Sequence, residues 1–275
     1  MRRIRLRGPI GVEYGFVDAD GVVVTSKGSR IEPLDAERLF LPAPYELLAP
    51  LEPPEVWCAG VTYARSRDAR VEESAVEDVY SLVYEAERPE LFLKDAGCLR
   101  TVGPGEPIGI RSDSSWNVPE PEIGLVLGDH GDVTGLTIGN DVSSREIEGT
   151  NPLYLPQAKV YAGACAIGPA ILAPVTGEAL EIHMRIFGAG GEELFAGETS
   201  TAQMKRSFEE LVSYLVRDNP VPAGSVLLTG TGLVPPDEFT LEPGHVVEIH
   251  VPGIGTLTNP VVLASSLLER SPAHV

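Results

Sequence analysis

Cysteine is scarce in this chain. Its 275 residues include only Cys58, Cys98 and Cys165, widely spaced and without a CxxC pair. Such usage argues for a reducing, cytoplasmic setting and against a zinc knuckle, and each cysteine reads as a small core residue rather than a nucleophile. Positive charge is also sparse: 21 Lys and Arg against 40 Asp and Glu leave a net charge of −19. Nucleic acid is therefore not an expected partner, because its phosphates would be repelled. An anionic substrate stays possible, since a metal and a few local cations can reverse the sign inside a pocket. No run of 18 apolar residues occurs, so no membrane-spanning helix is expected. The segment Met1-Arg2-Arg3-Ile4-Arg5-Leu6-Arg7 alternates, lacks the apolar stretch of a signal peptide and reads as a first strand. The histidines, His130, His183, His245, His250 and His274, show no metal-ligand spacing, and none lies beside a serine or cysteine nucleophile. Phosphate-cradling motifs of the GxGxxG and GxxxxGK[ST] kind are absent.

What is present is globular, with 43% apolar residues. Pro42, Pro44, Pro50, Pro53 and Pro54 punctuate the chain and place a domain boundary there, giving a small N-terminal domain over 1–52 and a larger one over 53–275. A short helix is expected near Glu32 to Phe40, and an amphipathic helix or lid over Arg65 to Glu87. The clearest helix signal is Ala202 to Val216, with Thr199, Ser200 and Thr201 as caps and Phe208, Leu211, Val212 and Leu215 as its apolar stripe. Elsewhere short strands alternate with Gly/Pro turns, which predicts a β-rich α+β fold rather than a β-α-β alternation.

The most informative run is Pro119-Glu120-Pro121-Glu122. On a strand, residues two apart face the same way, so Glu120 and Glu122 share a face. The apolar run Ile123 to Leu127 suits a buried strand, Gly128 to Asp132 reads as a turn, and Thr134 to Asn140 as the return strand. Asp141 ends that return strand, so a hairpin brings it back to Glu120 and Glu122. Three carboxylates at one sheet rim need a cation, and oxygen donors alone favour Mg²⁺ or Mn²⁺ over zinc.

The strings SDSSWNVPEPEIGLVLG, LTIGNDVSSREIEG, NPLYLPQAKVYAGACAIGP and LLTGTG follow one another in an order that resembles the fumarylacetoacetate hydrolase superfamily over about residues 55–265. PPEVW, RPELFLK and VRDNPVPAG look most similar to its 2-keto-3-deoxy-D-arabinonate dehydratase branch. The resemblance implies a mixed β-roll behind a smaller N-terminal domain, a homodimer or homotetramer, and Mg²⁺ held by Glu120, Glu122 and Asp141. One departure stands out. Where hydrolases of the superfamily carry a water-activating histidine, this chain has Ser66, in Thr62-Tyr63-Ala64-Arg65-Ser66. A serine without a partner base does not do that work near neutral pH, which favours elimination over hydrolysis.

By the same resemblance Lys159 is the active-site lysine, either base at C3 of the substrate or a cation facing the enolate. Glu90 is the candidate acid for the leaving hydroxyl. Thr62, Tyr63, Lys94, Arg145 and Thr231 are candidate substrate contacts, with a salt bridge to Glu146 or Glu148 as the alternative for Arg145 and a plain turn as the alternative for Thr231. Glu148 stands where related hydrolases have glutamine. The expected activity is Mg²⁺-dependent dehydration of a 2-keto-3-deoxy sugar acid, such as 2-keto-3-deoxy-D-arabinonate to 2,5-dioxopentanoate. The alternatives are acylpyruvate hydrolysis or oxaloacetate decarboxylation on the same metal site, and an inactive binding protein.

Overall fold

The structure, a computed structural model, describes residues 1–66 and 79–268. Its centre is the expected hairpin: strand Pro121–Leu127 pairs antiparallel with strand Val133–Asp141, Glu122 opposite Gly139 and Pro121 opposite Asn140. Ile123, Leu125 and Leu127 enter one apolar cluster, while Val126 enters another on the opposite face. A strand covered on both faces reads as a continuous apolar run, which is why alternation is lost here.

The hairpin lies inside a twelve-stranded mixed sheet. On one side Val133–Asp141 is followed by Cys165–Leu172, Arg2–Gly8, Gly11–Val17, Val23–Thr25 and Arg30–Ile31. On the other, Pro121–Leu127 is followed by Val226–Leu228, Glu55–Gly60 and Glu90–Ala96. The first strand joins the sheet through Arg2 opposite Leu172 and Arg3 opposite Ile171. A second, five-stranded sheet runs Glu193–Ser200, Glu181–Phe187, Val246–Val251, Gly255–Leu263 and Ile108–Ile110. The main core lies between the sheets, where Ile4, Leu6, Ile123, Leu125 and Ile138 meet Ile182, Met184, Val247, Ile249 and Leu257. The β-rich α+β reading therefore holds.

Two helices differ from expectation. Residues 32–40 form turns closed by an Asp35–Phe40 bridge. The Asp35 carboxylate accepts the backbone N–H of Glu37 and of Arg38, a local bond that competes with helix formation. The helix expected over Ala202 to Val216 is Phe208–Leu215, capped by Ser207, whose side chain accepts from the Glu210 N–H. Before it, Thr201–Gln203 makes only a 3₁₀ turn. Met204 bridges to Tyr63 and the Lys205 N–H donates to the Thr62 carbonyl, so this backbone is bonded away from a helix. Of the segment expected as a lid, Val79–Glu85 is helical, and 67–78 lies outside the described residues.

Leu125 is fully buried in the central strand. Leu125→Ala is expected to destabilise the fold by about 3 kcal/mol, through lost burial and the cavity left behind. A urea midpoint unchanged from wild type would contradict this packing.

Candidate active site

Glu120 lies just before the hairpin's first strand, Glu122 at its start and Asp141 at the end of the return strand. The Asp141 N–H donates to the Glu120 carbonyl at 2.9 Å, which locks the two residues across the ladder. The Glu120 N–H donates to the Asn140 side-chain oxygen at 3.1 Å. Each of the three acids is 3% exposed or less, and a ligand oxygen from each lies within 4.8 Å of the others. Burial first, then the charges of Asp141 and Glu120, push the Glu122 carboxyl well above the usual range, against the pull of Lys159 and the Gly230 N–H. That N–H reaches Glu122 Oε2 at 2.6 Å. Position 230 requires glycine, since its φ is +85° and a Cβ would sit 2.1 Å from Thr62 Oγ1.

Lys159, at the end of the short helix Leu155–Lys159, donates to Glu120 Oε2 at 2.7 Å, Asp141 Oδ2 at 3.1 Å and Ser143 Oγ at 2.6 Å. Two further cations stand behind the acids. Lys94 pairs with Asp141 Oδ1 and donates to the Val142 carbonyl at 3.0 Å. Arg145 pairs with Glu120 Oε1 at 3.1 Å. The acids and bases thus alternate in one buried chain: Lys94, Asp141, Lys159, Glu120, Arg145. Glu146, the sequence-based alternative partner for Arg145, instead accepts from the Ser115 N–H and hydroxyl.

A small cavity of about 20 Å³ opens onto this cluster. Glu120, Glu122, Asp141 and Lys159 line it together with Ser66, Glu90, Glu148 and Thr231. Glu90 lies across the ladder from Gly60, where a Cβ would come within 2.0 Å of its carboxylate, so glycine there leaves room for it. The Thr231 hydroxyl exchanges hydrogen bonds with Leu233 in a turn. Thr62, Tyr63, Lys94 and Arg145 do not line the cavity. Thr62 ties its loop to the Thr229 carbonyl at 2.7 Å, and Tyr63 is buried with its ring against Gly232. No histidine lines the cavity among the described residues. The Cys58 and Cys165 thiols beside the cluster are pushed up by burial, Cys165 to about 12, so both stay protonated.

Sequence reasoning missed Ser143, Gly60 and Phe92, the last of which lines the cavity with its ring 5.9 Å from Lys159 Nζ. Ser143 had a usable signal: it follows Asp141 by two residues.

The donor set fits Mg²⁺. It is all oxygen, buried and formally trianionic, and the strained ionisation of Glu122 is what a divalent cation would relieve. Three buried carboxylates can hold a cation that chelates a 2-oxo acid, and the lysine beside them can move a proton on it.

The family described as "Fumarylacetoacetate (FAA) hydrolase C-terminal" matches residues 55–262. A protein named "Probable 2-keto-3-deoxyxylonate dehydratase" from Haloferax volcanii is 53% identical over 215 residues, covering 77% of this chain and 73% of the relative. The "2-dehydro-3-deoxy-D-arabinonate dehydratase" of Saccharolobus solfataricus is 42% identical over 247 residues, covering 85% and 81%. Among solved structures, "2-keto-3-deoxy-D-arabinonate dehydratase complexed with magnesium and 2,5-dioxopentanoate" superposes with a TM-score of 0.83 at 36% identity, covering 95% of this chain and 98% of that one. The carboxylate hairpin, the mixed β-rich fold and these matches agree, and the chain belongs to the fumarylacetoacetate hydrolase family.

Proposed function

We propose that the protein is a Mg²⁺-dependent hydro-lyase that removes water from a 2-keto-3-deoxy sugar acid. The observation that carries this reading is the buried set Glu120, Glu122 and Asp141 with Lys159 at one cavity, which no histidine lines among the described residues. Its support from relatives is the dehydratase names at 42% and 53% identity. Glu120, Glu122 and Asp141 would hold the cation, which when bound supplies a Lewis acid for the C1 carboxylate and C2 carbonyl of the substrate.

The chain's own residues do the rest. Lys159 Nζ, which Glu120, Asp141 and Ser143 hold at the cavity wall, takes a proton from C3 as the neutral amine. Glu90 gives a proton to the C4 hydroxyl, which leaves as water with the C–O electron pair. Tautomerisation of the resulting 2-oxo-3-ene of a pentonate gives 2,5-dioxopentanoate. Thr231 stands at the cavity wall for a substrate oxygen, while Lys94 and Arg145 position Asp141 and Glu120 from behind. Thr62 and Tyr63 hold the loop that carries Ser66. Hydrolysis is disfavoured, because Ser66 lies where the water-activating histidine belongs and no histidine lines the cavity among the described residues. We place the catalytic unit in 53–275, which contains every described residue that lines the cavity, and expect a cytoplasmic homodimer or homotetramer.

Incubation with Mg²⁺ and 2-keto-3-deoxy aldonates is expected to yield a product lighter by one water, detected by mass; no such product from any aldonate would sink the dehydratase reading. Glu122→Gln should lower turnover on the order of 10²–10³-fold, the usual cost of losing one charge-stabilising contact.

The raised Glu122 carboxyl also makes stability pH-dependent. Above the ordinary carboxylate range, about pH 4.3, the folded metal-free protein holds a proton that the unfolded chain has released. The unfolded state then binds fewer protons, so stability falls as pH rises through that window. The melting temperature of the metal-free wild type should therefore fall more steeply as pH rises above the ordinary carboxylate range than that of Glu122→Gln, and Mg²⁺ should stabilise the wild type more at the higher pH. Parallel melting curves for the two proteins would refute this.

A further inference from the structure

Ser143 is fully buried, two residues beyond Asp141 in the short strand Ser143–Ser144, which pairs with Asn117–Val118. Its hydroxyl makes two bonds. It donates to the Asp141 carbonyl oxygen at 2.9 Å and accepts from Lys159 Nζ at 2.6 Å. A hydroxyl has one proton, and here it is committed to the carbonyl, so toward Lys159 the oxygen can only accept. The three acceptors around Nζ are therefore of two kinds. Glu120 and Asp141 are charged and belong to the candidate metal set; Ser143 is neutral and does not.

That difference matters once a divalent cation is held by the carboxylates. The cation competes with Lys159 for the charge of Glu120 and Asp141. The Ser143 contact lies outside that competition, and its residue is held in a paired strand.

We propose that Ser143 is a positioning residue for Lys159, the anchor that keeps Nζ at the edge of the cavity when the cation occupies the carboxylates. The proposal deepens the dehydratase reading and rests on it for the catalytic consequence. It assigns Ser143 no contact with substrate, since Ser143 does not line the cavity. Its effect is on the amine's direction. With one N–H given to Ser143, the others point toward Glu120 and Asp141, and Nζ is held at the cavity wall where the C3 proton must be reached. A displacement of about 1 Å in such a group can cost on the order of 10²-fold in rate.

The test compares wild type, Ser143→Ala and Ser143→Thr, each checked for folding by melting temperature and for Mg²⁺ affinity by calorimetry. Ser143→Ala is expected to lower kcat on the order of 10- to 100-fold, with KM and Mg²⁺ affinity changed only a few-fold. Ser143→Thr, which keeps the hydroxyl, should recover most of the loss. Independently of turnover, the side-chain ¹⁵N resonance of Lys159 in the Mg²⁺-loaded protein should keep a shifted position in wild type and move to that of a free lysine in Ser143→Ala. An unchanged resonance in Ser143→Ala overturns the proposal, as does a fall in kcat matched by an equal fall in Mg²⁺ affinity, which would put Ser143 in the metal set instead. If Ser143→Thr does not fold, the resonance of Ser143→Ala decides alone. Should wild type dehydrate no 2-keto-3-deoxy acid, the dehydratase reading fails, while the resonance still tests the anchor.

Discussion

The rest of the site depends on burying charge in alternation. Lys94, Asp141, Lys159, Glu120 and Arg145 follow one another as cation, anion, cation, anion, cation, and none is more than 3% exposed. Each charge would be costly to desolvate alone; flanked by opposite charges and bonded to backbone or hydroxyl partners, they are tolerated together. The chain is anchored at its anionic members by the ladder itself, because Asp141 and Glu120 are joined through their backbones. Glu122 stands outside the alternation. It is held by the Gly230 N–H and repelled by its two acidic neighbours, which leaves the cluster with an unmet demand for positive charge on the cavity side.

Much of this was legible from residues 119–141, for a physical reason. Alternation on a strand has period 2, the turn Gly128 to Asp132 carries its own signal, and the hairpin is local, so the meeting of Glu120, Glu122 and Asp141 follows from short-range rules alone. Lys159 could be singled out only through family likeness, since it arrives on a separate helix. Ser143 had only its spacing from Asp141 to mark it, and the Lys94–Asp141 pair was not legible. That pair joins the strand Glu90–Ala96 to the end of Val133–Asp141, two strands distant in sequence, and no periodicity encodes such a meeting.

Where sequence reading went astray, a local bond had displaced the expected element. Asp35 spends its carboxylate on the two N–H groups that a helix over 32–40 would have used. Residues 204 and 205 give their backbone to Tyr63 and Thr62, which delays the following helix to Phe208. The second case is tied to the site, because the same contact braces the loop that delivers Ser66 to the cavity. A helix turn was given up to secure a wall.

The carboxylates sit on or beside paired strands, whereas the other walls of the cavity come from strand ends and short helices: Ser66, Glu90, Leu155 and Thr231. The two sets are mechanically separable. A ladder fixes spacing through backbone bonds that side-chain replacement leaves in place, so the walls can be recut without disturbing the carboxylates. Such a construction lends itself to diversification: one unvarying grip for the common head of a 2-oxo acid, and an interchangeable mould for its tail.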